Sequence, residues 1–290
     1  MNKFIVSSLL LFFAHIAKGQ IISAATRPII TSTTIKKINT NGIINPFAAS
    51  PELVRALKWW RSINPSDLSL YTAPYNVSTH TMGDTTYPRF AAKTSLSFTG
   101  WYHAPGAKFW NPDSILNILP LINLRQIDII PHMVNNNALE YLGRLPNLKA
   151  IYCTNTVSTC DPLGINADDN GFVSLLRNRN LEFIWFKDFK RLTDIGFAAV
   201  AGMRNLKILY ISCPGTGLTD NAMLSLQGCV NLETLYLINS SITDAGLRNL
   251  ISIKKSLPAL KTIYLNYSQT TQGGRTDFTA AWGTPIYAVF

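Results

Sequence analysis

The second half of the chain repeats one hydrophobic pattern at short intervals. The first leucines of successive copies fall at 124, 148, 181, 206, 232 and 260, in steps of 24, 33, 25, 26 and 28 residues. Five copies carry an aromatic at the same place: Leu148 to Cys153 (LKAIYC), Leu181 to Phe186 (LEFIWF), Leu206 to Ile211 (LKILYI), Leu232 to Leu237 (LETLYL) and Leu260 to Leu265 (LKTIYL). Side chains alternate across a strand, so the apolar residues flanking each aromatic face one way. Tyr152, Trp185, Tyr210, Tyr236 and Tyr264 face the other.

A second signature follows each strand segment. It reads NNNAL from Asn135, DDNGF from Asp168, TDIGF from Thr193, TDNAM from Thr219 and TDAGL from Thr243. An apolar residue lies three positions further on in each copy: Leu142, Leu175, Val200, Leu226 and Leu250. Each unit therefore passes from strand period to helical period. The Thr, Asp or Asn at the change suits a helix cap, and an Asp in the first turn suits the positive end of the helix dipole. Gly or Ala at the fourth position leaves room where strand, turn and helix crowd. One such unit could not bury its apolar side alone, and stacking supplies the core.

These motifs resemble the leucine-rich repeat family, in the subtype whose units read L-x-x-L-x-L followed by T-D-x-G-L-x-x-L. The best copies are Leu232 to Leu250 and, before it, Leu206 to Leu226, and the resemblance covers about half of the 290 residues. It implies an α/β solenoid with a parallel concave sheet and convex helices, and a protein that binds other macromolecules rather than an enzyme. The asparagine that the family often places three residues after the last strand leucine is missing. Phe189, Pro214, Ser240 and Ser268 stand there.

Outside the repeats the chain divides as follows. Residues 1–20 read as a secretory signal peptide: Lys3, an apolar run from Phe4 to Ile16, then Ala17-Lys18-Gly19. That run is too short to span a bilayer, which needs ~20 apolar residues. Residues 21–120 are expected to hold a linker and an N-terminal cap or small domain. Within them, a helix is expected at Pro51 to Arg61, where Pro51 and Glu52 suit a helix start. Leu68 to Tyr71 and Thr94 to Phe98 alternate as short strands would. The repeats occupy 121–269. Residues 270–290 are expected to cap the far end, with Trp282, Ile286, Tyr287 and Phe290 as contacts. The 33-residue step carries an insertion after Thr154. Its Asn166–Gly171 stretch imitates the start of a calcium loop, but Arg177 stands where a bidentate Glu is required, so no metal is expected.

With Lys3 and Lys18 removed, 24 basic side chains remain against 16 acidic ones, about +8. That balance favours an anionic partner or surface. Export and the scatter of the basic residues argue against nucleic acid. Cys153 and Cys229 take core positions and read as buried free thiols. Cys160 and Cys213 fall in loops, where a bridge is allowed, and three pairings exist among the four. Asn76, Asn239 and Asn266 meet the N-glycosylation pattern.

No catalytic motif is present. His80, His103 and His132 have no Asp, Glu or Cys at metal spacing. The densest cluster outside the repeats, Trp101 to Trp110 (WYHAPGAKFW), fits cap packing better than a ligand shelf. No cofactor is expected. The candidate ligand-binding residues are Tyr152, Trp185, Lys187, Tyr210, Tyr236 and Tyr264, a ribbon about 19 Å long if neighbouring strands are ~4.8 Å apart. Thr154, Ser212, Ile238 and Asn266 are expected on one side of it, and Ala150, Phe183, Ile208, Thr234 and Thr262 on the other. The expectation is a secreted, extracellular or cell-surface binding protein (periplasmic if bacterial) whose ligand is a protein, peptide or glycan. The alternatives are a rigid repeat spacer presenting a binding N-terminal region, and a surface-polymer hydrolase centred near His103.

Overall fold

Alternation over so few residues yields strands of only three to five residues, each followed directly by a short helix. The computed structural model describes residues 50–63, 92–98, 112–154, 164–212, 217–265, 268–283 and 287–289. The signal-like segment, Leu68 to Tyr71, Trp101 to Trp110, Cys160, Cys213, Asn76 and Asn266 lie outside them.

The strands are β1 (Ser95–Ser97), β2 (Gln126–Ile129), β3 (Ala150–Cys153), β4 (Phe183–Phe186), β5 (Ile208–Ser212), β6 (Thr234–Ile238), β7 (Thr262–Tyr264) and β8 (Tyr287–Val289). They form one parallel sheet in strict chain order, β1 to β8. Register is constant along the repeats: Tyr152 pairs Trp185, Trp185 pairs Tyr210, Tyr210 pairs Tyr236 and Tyr236 pairs Tyr264. A sheet wound this way buries one face beneath its crossovers. Ile127, Ile151, Ile184, Leu209, Leu235 and Ile263 all point into that core and have no exposed surface.

The helical sides are shorter than the sequence pattern suggests. They are α1 (Pro51–Ile63), ahead of β1, and then α2 (Asn136–Gly143), α3 (Asp169–Ser174), α4 (Asp194–Phe197), α5 (Ala222–Ser225), α6 (Asp244–Ser252) and α7 (Gln272–Trp282). In α3 to α6 the helix gives way to a 3-10 turn, as at Leu175–Arg177, Ala198–Gly202, Leu226–Gly228 and Lys254–Ser256. Strands repeat every ~4.8 Å while packed helices need ~8–10 Å, so the sheet lies on the inside of the bend.

The sheet runs past the six strand segments counted from sequence. At one end the Thr94–Phe98 stretch supplies β1, parallel to β2. A 3-10 helix at Pro112–Ile118 then takes the place of a repeat helix. Helix α1 extends two residues beyond its expected end and buries Ala56, Leu57 and Trp60. Trp60 meets Phe98 edge-on at 5.3 Å. At the other end α7 buries Phe278 and Trp282, and β8 adds to β7. Lys254 caps the carbonyl end of α7 at Trp282, with its ammonium 5.8 Å from the indole centroid. No helix of the described residues is long and apolar enough to cross a membrane.

Two ladders of polar contacts fasten unit to unit. In the first, the carboxylate at each helix start reaches the next unit's capping residue. Asp169 Oδ1 accepts the Thr193 backbone N–H at 2.8 Å, and Asp169 Oδ2 accepts the Thr193 hydroxyl at 2.6 Å. Asp194 does the same to Thr219, Asp220 to Thr243 and Asp244 to Thr271. The Thr hydroxyl in turn caps its own helix, as Thr193 does for the Ile195 N–H. The signature Asp therefore does more than sit against a helix dipole: it couples adjacent units. In the second ladder, the asparagine just before the first leucine donates to a carbonyl one unit back. Asn147 reaches Ile122, Asn180 reaches Pro146, Asn205 reaches Arg179 and Asn231 reaches Arg204, at 2.7 to 2.9 Å.

Candidate functional site

The residues opposite the core make the face on which the five expected aromatics lie. By register that row runs Ser97, Asp128, Tyr152, Trp185, Tyr210, Tyr236, Tyr264 and Val289. All five aromatics are half-buried rather than bare. Four of them cover one another. Trp185 and Tyr210 stack with centroids 4.1 Å apart and planes 4° from parallel. Tyr236 and Tyr264 stack at 4.3 Å and 5°. The two pairs meet where Tyr236 lies 5.3 Å from Tyr210, tilted by 44°, and 5.6 Å from Trp185, tilted by 42°, so the rings form a cluster and not a single file. Among the described residues the stack thus joins four of the five rings, and Tyr152 stands between Asp128 and Trp185.

Two phenols of this row, Tyr152 and Tyr210, hold their protons more firmly than a free tyrosine. Burial pushes the Tyr152 hydroxyl up, and Asp128 beside it adds to the shift. Burial also raises Tyr210, an effect that Asp188 and Tyr236 reinforce and a hydrogen bond from Ser212 partly offsets.

The flanking rows differ from expectation in places. Ala150 and Ser212 are buried, whereas Phe183, Ile208, Thr234, Thr262 and Ile238 are half-buried. Ser212 is covered beside Tyr210, and its hydroxyl accepts the Asp188 backbone N–H at 3.4 Å. Lys187 is half-buried and follows β4 directly, two residues past Trp185. Three residues past Trp185 and Tyr236 the chain turns through left-handed backbone at Asp188 (φ 64) and Asn239 (φ 57). Asp and Asn tolerate that conformation better than most side chains.

One charged row escapes a reading that follows only apolar and aromatic positions. The second residue of each strand segment is Arg125, Lys149, Glu182, Lys207, Glu233 and Lys261. It alternates in sign after Lys149, and Glu182 binds both neighbours, Lys149 at 2.5 Å and Lys207 at 2.8 Å. Those two ammonium groups hold the Glu182 carboxyl below its ordinary range. The signal was present in the sequence as LK, LE, LK, LE, LK, a charge alternating from strand to neighbouring strand.

Cys153 and Cys229 are buried free thiols, as expected. Burial pushes both up, Cys229 to about 12, so neither is a ready nucleophile. His103 lies outside the described residues, and His132 is exposed on a 3-10 turn away from the ring row. Among the described residues no group of His, Cys, Asp and Glu is arranged to hold a metal. Two shallow hollows, of about 590 and 610 Å³, lie along α7 and at the turns around Arg179 and Arg204, apart from the rings.

No family model and no curated protein sequence matches the chain. Solved structures do. Internalin C2 from Listeria monocytogenes is 19% identical, with 79% of this chain and 95% of that one covered at a TM-score of 0.45. An internalin, inlF, from the same organism is 14% identical, covering 61% of this chain and 50% of that one at 0.43. The chain therefore spans half the length of that internalin. A plant peptide hormone receptor, RGFR1, in complex with RGF2 is 14% identical, covering 53% and 22% at 0.33. All three TM-scores fall below 0.5, so the assignment rests on the chain's own geometry. One strand and one short helix per unit, constant parallel register and a leucine core make this chain a leucine-rich-repeat solenoid.

Proposed function

We propose that the chain is a secreted or cell-surface binding protein that holds its partner against the ring row of its sheet. The observation that carries this reading is the contiguous ring cluster of Trp185, Tyr210, Tyr236 and Tyr264 on the face opposite the core. Large aromatics offer contact area at little cost in side-chain entropy, which is why they dominate binding surfaces. The signal-like first twenty residues support export. On this reading Tyr152, Trp185, Lys187, Tyr210, Tyr236 and Tyr264 are the contact residues, and the region before β1 and the segment from 270 close the two ends of the core.

Ring stacking couples contact area to stability on this face. Each stacked pair contributes about 0.5–1.5 kcal/mol beyond its buried area, so replacing Tyr210 or Tyr236 by Ala would lower stability as well as remove contact. Thr234→Trp is cleaner. It adds bulk without charge in the row beside Tyr236 and leaves the stack intact. Expected is loss of partner capture from cell-surface extract with a melting temperature close to the parent's. Thr279→Trp, on the exposed side of α7, should leave capture unchanged. The opposite result, capture lost with Thr279→Trp and kept with Thr234→Trp, would overturn the reading.

A further inference from the structure

At the turns that lead from helix to strand, cations outnumber carboxylates. Glu140 is shared by Arg144 and Arg177. Glu182 is shared by Lys149 and Lys207, and Glu233 one unit on also acts on Lys207. Arg179 and Arg204 stand exposed on the same turns, and among the described residues neither is paired with a carboxylate.

The repeat brings these two together. Each stands two residues before the first leucine of its strand segment, and the offset that pairs Phe183 with Ile208 also sets Arg179 beside Arg204. Pro146 and Val230 hold that place in the units on either side, so the pair is bounded by uncharged residues. The asparagine ladder fixes both backbones. Asn205 donates to the Arg179 carbonyl at 2.9 Å, and Asn231 to the Arg204 carbonyl at 2.8 Å. Both arginines line the hollow of about 610 Å³, together with Leu176, Ala201, Gly202 and Asn205. Leu176 lies against Gly202, where an added Cβ would come within 2.7 Å of its Cδ2, so the ground between the two cations is apolar.

Two guanidinium forks side by side suit one group with acceptors enough for both. A carboxylate presents both of its oxygens to a single fork. A phosphate or sulfate ester has three free oxygens and can meet two forks at once. We propose that the Arg179–Arg204 hollow binds a phosphate or sulfate ester, its tetrahedral group between the guanidiniums and its organic body over Leu176 and Ala201. The site lies apart from the ring row and does not depend on it.

The test is an amide NMR titration of the full chain with phenyl phosphate and, in parallel, benzoate. Expected are saturable shifts confined to residues 176–179 and 201–205, with a dissociation constant of about 1 mM or below that weakens with salt. Benzoate should bind about tenfold more weakly. Arg179→Gln and Arg204→Gln should each weaken phenyl phosphate about tenfold at an unchanged melting temperature. Arg248→Gln, which removes the same charge from α6, should leave binding nearly unaltered. Phosphatidylcholine vesicles containing phosphatidic acid separate two sources of the ester. Capture of the parent but not of Arg204→Gln identifies a lipid headgroup, and phenyl phosphate binding without vesicle capture identifies a soluble ester. Equal binding of benzoate, an equal loss with Arg248→Gln, or no shifts at these turns up to about 10 mM phenyl phosphate would each overturn the site.

Discussion

The fourth residue of the T-D-x-G signature sits against the carboxylate of the unit before it. A Cβ at Gly196 would lie 2.3 Å from Asp169 Oδ1 and 2.6 Å from its Cα, and one at Gly246 would lie 2.5 Å from Asp220 Oδ1. At these two units the neighbouring Asp approaches too closely for a Cβ, whereas the Asp194–Thr219 unit makes the same paired bonds with Ala222 in that position. Gly196→Ala should therefore cost about 2–3 kcal/mol, by overpacking and by loss of the paired hydrogen bonds. Gly273→Ala is the control: the nearest atom to its new Cβ, Thr271 Oγ1, would be 3.7 Å away. That change should stabilise α7 by up to about 1 kcal/mol. Urea unfolding of the two variants checks both signs. The motif itself was visible in the sequence, and so was the need for room, but the reason for it was not. The atoms that crowd Gly196 belong to a residue 27 positions earlier. The same pairing explains the Asn copy of the signature. Where the next unit offers Asp168 in place of Thr, Asn136 stands opposite, donating to Asp168 Oδ1 and accepting the Asp168 N–H, both at 2.9 Å. Two carboxylates could not have paired there.

At the level of the element, strand and aromatic positions were legible because period-two alternation fixes which face a side chain takes. Helix length was not, since the helical stretches are held by packing and caps rather than propensity, and in α3 to α6 they tighten into 3-10 turns. The turn from helix to strand was also missed. The asparagines that tie the turns stand before the strand and not after it. After the strand, Phe189 goes into the core against Phe172 and Phe186, at 5.9 and 5.6 Å. Before the strand, Asn147, Asn180, Asn205 and Asn231 tie each turn to the preceding one. Asn178 is a buried member of this turn, donating to both Leu145 O and Leu148 O and accepting the Asn180 N–H. Asn178→Ala would leave two buried carbonyls and one N–H without it, a loss of about 3 kcal/mol. Asn205→Ala removes one contact at an exposed side chain and should cost about 1 kcal/mol. Equal losses in thermal unfolding would contradict the turn-by-turn account.

Across the whole molecule, the polar ladder links the helix side from Asp113 to Thr271, and three of its carboxyls, Asp113, Asp168 and Asp244, are held below their ordinary range. The Asp113 carboxyl is held below its ordinary range by donation from Asn135, then Asn137. Burial raises Asp168, but hydrogen bonds from Asn136 and the backbone, with Arg191 nearby, outweigh it and leave a net lowering. Asp244 is lowered by the Thr271 hydroxyl and then by its backbone N–H. For a carboxyl whose folded value lies below the unfolded one, near 3.9, the unfolded chain binds protons first as pH falls. The stability these groups supply is thus fully present above about pH 5 and is lost as pH drops through their lowered folded values. Because a stacked array depends on contacts between neighbouring units, losing one rung exposes core on both sides of it. The melting temperature should stay nearly level from pH 7 to 5 and fall steeply below pH 4. Asp244→Asn should soften that fall at the α6–α7 junction, since an amide can still accept the Thr271 N–H, as Asn136 accepts that of Asp168, without a carboxylate to titrate. Melting curves of the parent and Asp244→Asn from pH 2.5 to 7 decide the matter: identical acid limbs would mean that the ladder is not what acid undoes.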